Sequence, residues 1–148
     1  VKIVVDSNIV FSAILNTESH IGQILILGSK YFDFYSINLL KQEIFGHKDK
    51  ILKISGLEIE AFEKITSIIF SKIRFLDEVL ISSQEVGKAI KLTKSIDEND
   101  TLFVALTNQL KAKLWTGDKK LLAGLKVKGY NQAISTSELL EDFLEKGG

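Results

Sequence analysis

The sequence predicts an α/β protein: a parallel sheet of about five strands, covered by helices on both faces. Short β-rich runs alternate with longer segments of helical period, the order that arises when crossover helices join parallel strands. The first run, Val1 to Val5, is apolar except for Lys2, as befits a central strand buried on both faces. Two of the runs also end on an acid. Val5 leads into Asp6, and Leu114-Trp115-Thr116 leads through Gly117 into Asp118. Side chains just past the carboxyl ends of parallel strands line the crevice in which α/β proteins bind ligands.

Each element has a local reason. Strands are predicted at Lys2–Val5, Asp33–Ser36, Arg74–Leu76, Lys113–Thr116 and Gln132–Ser135. Asp6 has N-cap chemistry for a helix over Ile9–Leu15. A second helical pattern, Asn38–Phe45, carries Glu43 among apolar neighbours. The clearest helix runs from Leu57 to Ile73, with Leu57, Ala61, Ile65, Ile68, Ile69 and Ile73 on one stripe and Glu58, Glu60, Glu63, Lys64, Ser67 and Lys72 opposite. Capping boxes mark helix starts at Ser55 with Glu58, Ser82 with Glu85 and Ser135 with Glu138. Asp97 as N-cap and Asp100 in the first turn open a helix whose apolar density (Leu102-Phe103-Val104-Ala105-Leu106) predicts burial. No proline, repeat or low-complexity tract divides the 148 residues, so the expectation is a single domain over residues 1–148.

Composition narrows the function. Without cysteine there is no disulfide, thiolate metal site or cysteine nucleophile. That is compatible with the cytosol, and neither an apolar run of membrane-spanning length nor an export signal is visible, so a cytoplasmic protein without a membrane partner is expected. Nineteen basic and nineteen acidic residues cancel, which argues against nucleic-acid binding driven by overall charge. Arg74 is the only arginine, and arginine is the usual bidentate reader of guanine edges. Lysine still holds phosphates. Lys41, Lys48, Lys50 and Lys53 lie near Glu43, and Lys111, Lys113, Lys119 and Lys120 flank Asp118; of these, Lys119, Lys120 and Lys41 are the chief candidates for nucleic-acid contacts.

Taken singly, each acid has a structural explanation: a cap for Asp6 and Asp97, a solvated helix face for Glu43, a turn for Asp118. A doubly wound sheet, however, brings Asp6 and the Asp118 loop to the same edge. Carboxylates gathered in one crevice call for a cation. Asp100 ranks above Asp97 as a ligand, because an acid in the first turn of a buried helix points toward that crevice.

The order of these acids resembles the PIN domain (PilT N-terminus-like) nucleases, including toxins of the VapBC toxin–antitoxin type. The matching stretches are Val4-Val5-Asp6-Ser7-Asn8, Glu43 in its helix, Asp97-Glu98-Asn99-Asp100 with Phe103-Val104-Ala105-Leu106, and Leu114-Trp115-Thr116-Gly117-Asp118. The resemblance implies a three-layer α/β/α sandwich, metal-dependent endoribonuclease activity, an RNA substrate, an antitoxin protein as partner and homodimers. It assigns Asp6, Glu43, Asp100 and Asp118 as catalytic metal ligands, with Glu58 and Glu60 as substitutes for Glu43. Many relatives carry proline beside the third acid, where Glu98 and Asn99 stand here.

All these donors are oxygens, which suits Mg²⁺ or Mn²⁺. The expected chemistry is attack of an activated water on a phosphodiester, leaving a 5′-phosphate and a 3′-hydroxyl. Asp97, Ser7, Asn8 and Thr116 stand beside the ligands as orienting groups. Other α/β enzymes fit less well. A haloacid-dehalogenase-like phosphatase needs an aspartate where Asn8 stands, and a receiver domain needs a second acid beside Asp6. The alternative is a non-catalytic RNA- or protein-binding module on the same fold.

Overall fold

The structure, a computed structural model, describes residues 1–148. Five parallel strands, β1 (Lys2–Val5), β2 (Asp33–Ile37), β3 (Ile73–Leu76), β4 (Lys113–Trp115) and β5 (Ala133–Ile134), form one sheet in the order β3-β2-β1-β4-β5. The helices are α1 (Ser7–Leu15), α2 (His20–Leu27), α3 (Asn38–Gly46), α4 (Lys48–Ser55), α5 (Ile59–Ser71), α6 (Ser83–Thr93), α7 (Thr101–Leu110), α8 (Lys119–Val127) and α9 (Thr136–Glu145).

The strand order follows from the chain path. From β1 the chain moves outward to β2 and β3, and right-handed crossovers put α1 to α5 on one face. It then returns past β1 to β4 and continues to β5, so α6 to α8 cover the other face. There α7 packs against β1, β2 and β4, and α6 packs against α7 and α8. The closing helix α9 packs on α2, and Thr136 at its start accepts from the Trp115 indole N–H at 3.1 Å. Between the layers, Ile3, Val4, Val5, Phe34, Leu114 and Trp115 are almost wholly excluded from solvent, and Phe34 lies 5.9 Å from Trp115, ring to ring. β1 and β4 are the point at which the path reverses direction, where an open α/β sheet parts to form a crevice.

The predicted strands are all present, β1 with the predicted ends and the others shifted by one residue at one or both ends. β4 ends at Trp115; the next residue, Thr116, still donates its backbone N–H to Ile134 O at 3.4 Å while its side chain donates to Asp6. β5 shortens to two residues at the sheet edge. The helix predicted from Leu57 begins at Ile59, and the Ser55–Glu58 capping box does not form. Gly56 adopts φ +73° and ends α4 at Ser55, so that serine closes the preceding helix and its Oγ accepts from Leu57 N–H. The buried stripe of α5 is Phe62, Thr66 and Ile69; Ile68 faces solvent, and Ile73 has passed into β3. At Ser82 half the box is present: its Oγ accepts from Glu85 N–H, while the Glu85 carboxylate lies 3.7 Å from Lys88. At Ser135 both halves form. No single helix is long and apolar enough to cross a membrane.

Candidate active site at the carboxyl end of the sheet

Asp6 leaves β1 at the reversal point. Its backbone N–H donates to Trp115 O of the neighbouring strand at 3.1 Å, and its side chain is 1% exposed. Donors from three residues meet the carboxylate: Ser7 N–H at 2.7 Å and Ser7 Oγ at 3.4 Å on Oδ1, and Thr116 Oγ1 at 2.8 Å and Asn8 Nδ2 at 3.2 Å on Oδ2. Asp6 therefore does cap α1, and it is also a buried anion. Asn8 forms a clip across the crevice, donating to Thr116 Oγ1 at 3.2 Å and accepting from Gly117 N–H at 3.0 Å. Thr116 Oγ1 in turn accepts from Asp118 N–H at 3.1 Å. This chain of bonds fixes the start of α1 to the loop after β4.

Glu43 reaches the same crevice from α3. Ser7 Oγ donates to its Oε2 at 2.8 Å, tying it to the segment that carries Asp6. Glu58 and Glu60 lie exposed at the start of α5. Glu43 is the glutamate whose charge acts on Asp6 and Asp100.

On the opposite bank, a 3₁₀ turn over Glu98–Asp100 carries two acids into the start of α7. Asp97 caps this turn, accepting from Asn99 N–H at 2.9 Å. Asp118 caps α8, accepting on Oδ1 from the backbone N–H of Lys120 at 3.0 Å and of Leu121 at 3.1 Å. Carboxylate oxygens of Asp97, Asp100 and Asp118 lie within 4.8 Å of one another. Asp97 thus sits among the predicted ligands, closer to the centre than a helix cap requires. The three-residue step from Asp97 to Asp100 was its one sequence signal.

Electrostatics separate the two buried acids. Burial pushes Asp6 up to about 6, although the bonds from Thr116 and Ser7 pull it down and the charges of Glu43 and Asp118 push it up. Burial again leads for Asp100, reinforced by the charges of Asp6, Asp97, Asp118 and Glu43, and raises it to about 8. No protein donor meets the Asp100 carboxylate to offset this. Five carboxylates from both ends of the chain therefore face one another, two of them held against their ordinary ionisation.

The lysines are less concentrated. Lys41 stands 4.2 Å above the Phe75 ring and is committed there. Lys119 and Lys120 are exposed at the start of α8 beside Asp118. Lys119 also borders a cavity of about 420 Å³ shared with Lys126, Tyr130 and Glu138.

Comparison with known proteins agrees with this architecture. The sequence profile of the PIN domain matches residues 4–140. The uncharacterized protein MJ1680 of Methanocaldococcus jannaschii is 26% identical over 163 aligned positions, covering 97% of this chain and 92% of that one. Among solved structures, PAE2754 from Pyrobaculum aerophilum superposes with a TM-score of 0.67 at 15% identity, over 98% of this chain and 90% of its own. VapBC2 from Rickettsia felis, solved bound to a DNA fragment from its promoter, gives 0.64 at 17% identity, over 91% and 97%. A toxin–antitoxin complex from Klebsiella pneumoniae gives 0.59 at 15% identity, over 90% and 96%.

Proposed function

The chain belongs to the PIN domain family, and from that premise we propose that it is a metal-dependent endoribonuclease, the toxin of a toxin–antitoxin pair. The observation that carries the proposal is the gathering of Asp6, Glu43, Asp97, Asp100 and Asp118 at the reversal point of the sheet, with Asp6 and Asp100 raised in pKa. Such a cluster is unfavourable by itself and becomes favourable around a divalent cation.

The donor set fits Mg²⁺ or Mn²⁺: every candidate ligand is a carboxylate, and close pairs leave oxygens free of protein donors. Asp97, Asp100 and Asp118 would hold one ion, and Asp6 and Glu43 stand at the flank nearest α1 and α3. When bound, the ion supplies an acidified water and neutralises phosphate charge. This chain's own residues do the rest. Thr116 and Asn8 keep the Asp6 carboxylate oriented, and Ser7 fixes Glu43. Backbone N–H groups of α8 hold one oxygen of Asp118 and leave the other for the crevice. Exposed Lys119 and Lys120 are placed to meet a phosphodiester that approaches Asp118.

The antitoxin reading draws on the complexes from R. felis and K. pneumoniae; a small protein covering the crevice would keep the acids from RNA. Incubation of the purified chain with tRNA and mRNA, with Mn²⁺ and with excess chelator, tests the activity. Cleavage should require the metal and fall at least 100-fold in Asp100→Asn with the fold intact by circular dichroism. Binding of RNA without cleavage would instead favour a non-catalytic binding module.

A further inference from the structure

Beside the acids, α1 and the junction of α3 with α4 enclose a cavity of about 270 Å³. Ser7 and Glu43 form its inner end, so it opens directly onto the carboxylate crevice. One wall is a single face of α1: Asn8, Phe11 and Ser12 stand three and four residues apart, the spacing that aligns side chains on a helix. The other wall follows Glu43, His47 and Lys50 across the break between α3 and α4. At this break the His47 backbone leaves helical geometry (φ −102°, ψ 15°) and its N–H bonds back to Glu43 O and Ile44 O. Glu43 and Lys50 therefore stand on either side of the break, near the end of α3 and the start of α4.

The contents of this cavity are unlike the crevice it joins. The crevice is acidic; the outer end of the cavity carries His47 and the ammonium of Lys50, both exposed, over the partly buried ring of Phe11. The hydroxyl of Ser12 lies between, while the amide of Asn8 is committed to Asp6, Thr116 and Gly117. An aromatic surface, short polar groups and one cation suit a nucleotide: a base on the ring and a phosphate on the lysine. The volume lies near the lower end of the ~300–1,000 Å³ range of small-molecule sites, which favours one nucleotide over a folded element. Of the lysines near Glu43 in sequence, Lys50 alone borders the cavity; Lys41 lies over Phe75.

We propose that this cavity between α1 and the α3–α4 junction is a subsite for one nucleotide of single-stranded RNA next to the cleaved bond, with Phe11 under the base and Lys50 and His47 on its phosphate. The proposal rests on the ribonuclease reading and deepens it. The RNA strand then crosses the crevice from Lys50 on one bank toward Lys119 and Lys120 on the other. The subsite, rather than the acids, selects the base beside the cut.

Fluorescence anisotropy of a labelled single-stranded RNA hexamer, with Mg²⁺ and with Asp6→Asn as the non-cleaving background, tests it without turnover. Lys50→Ala should weaken binding severalfold at 0.1 M salt and lower the log–log salt slope by about 0.7. Phe11→Leu keeps apolar volume against the core and should weaken binding about tenfold with the salt slope unchanged. Lys53→Ala, on the same helix outside the cavity, should stay within twofold. Equal losses for Lys50→Ala and Lys53→Ala would mean that general charge is at work and would overturn the subsite, as would unchanged affinity in Phe11→Leu. Cleavage by the unsubstituted chain is scored separately. If it fails to cut RNA in Mn²⁺, the ribonuclease reading falls while the binding result stands; if it cuts and the cavity variants bind normally, the subsite alone falls.

Discussion

Asp6 and Asp100 differ in what surrounds the charge, and the difference is measurable. Both are raised above the unfolded carboxylate value of about 3.9, Asp6 to about 6 and Asp100 to about 8. The folded state therefore binds more protons than the unfolded state between these values. Stability from these groups is full below about pH 4 and is lost as pH rises through 6 and then 8, by at most about 1.4 kcal/mol per pH unit per group. In excess chelator the melting temperature should fall from pH 5 to pH 8.5, and Asp100→Asn should flatten the upper part of that fall. A rise of melting temperature over the range would contradict the assignment. Saturating Mn²⁺ should reverse the trend, adding about 2.7 kcal/mol at a hundred times its dissociation constant. Thr116→Val removes a 2.8 Å bond from the Asp6 carboxylate and should move the acid limb of the pH–rate profile about one unit upward; Thr116→Ser should restore it. An unmoved profile would show that Thr116 only fills space. At this scale the sequence was legible where an acid follows a strand: Asp6 and Asp118 are where they were expected. Asp97 was less legible, because a cap at the helix start already accounts for it, and only the packing of the segment before α7, where Ile96 meets α8, brings its carboxylate within 4.8 Å of those of Asp100 and Asp118.

That packing belongs to the elements. The segment between α6 and α7 is fastened to α8 at two points. Lys128 Nζ, just past the end of α8, donates to Ser95 Oγ at 3.4 Å in the segment and to Lys91 O at 3.3 Å and Leu92 O at 2.9 Å at the end of α6. Ile96 packs on α8 where Gly124 has no side chain; a Cβ there would stand 2.6 Å from Ile96 Cδ1. Gly124→Ala should displace Ile96 and, with it, Asp97. We expect a loss of about 1–3 kcal/mol and a Mn²⁺ affinity lowered at least tenfold, read by calorimetric titration. A destabilised variant with unchanged metal affinity would separate Gly124 from the site. Helix starts show what local patterns reveal. Ser135→Ala should cost about 1 kcal/mol in chemical denaturation, and Ser55→Ala clearly less, since one box is formed and the other interrupted by a left-handed Gly56. The two serine patterns look alike along the chain. A glycine directly after Ser55 marks it as the end of a helix. Strand positions were readable from β-rich runs, and β1 has the expected ends; β2 and β3 are one residue longer and β4 and β5 shorter, because residue type alone does not say where ladder pairing stops.

In the whole molecule, β1 lies at the centre with neighbours taken from distant parts of the chain. Ile3 pairs with Phe34 on one side and with Lys113 on the other. The apolar β1 announced a central place, while its neighbour β4 followed only from the handedness of crossovers. A parallel sheet with such distant pairing is slow to assemble. During synthesis at about 5–20 residues per second, β1 waits on the order of 5–20 seconds for the partner that completes its far edge. Asp118 leaves the ribosome later still, and without it the aspartate trio does not exist. A nascent chain therefore carries Asp6 and Glu43 but no functioning centre. If the finished protein cuts RNA, the ribosome and messenger that make it are spared until Asp118 has emerged, and a partner needs to arrive only by then.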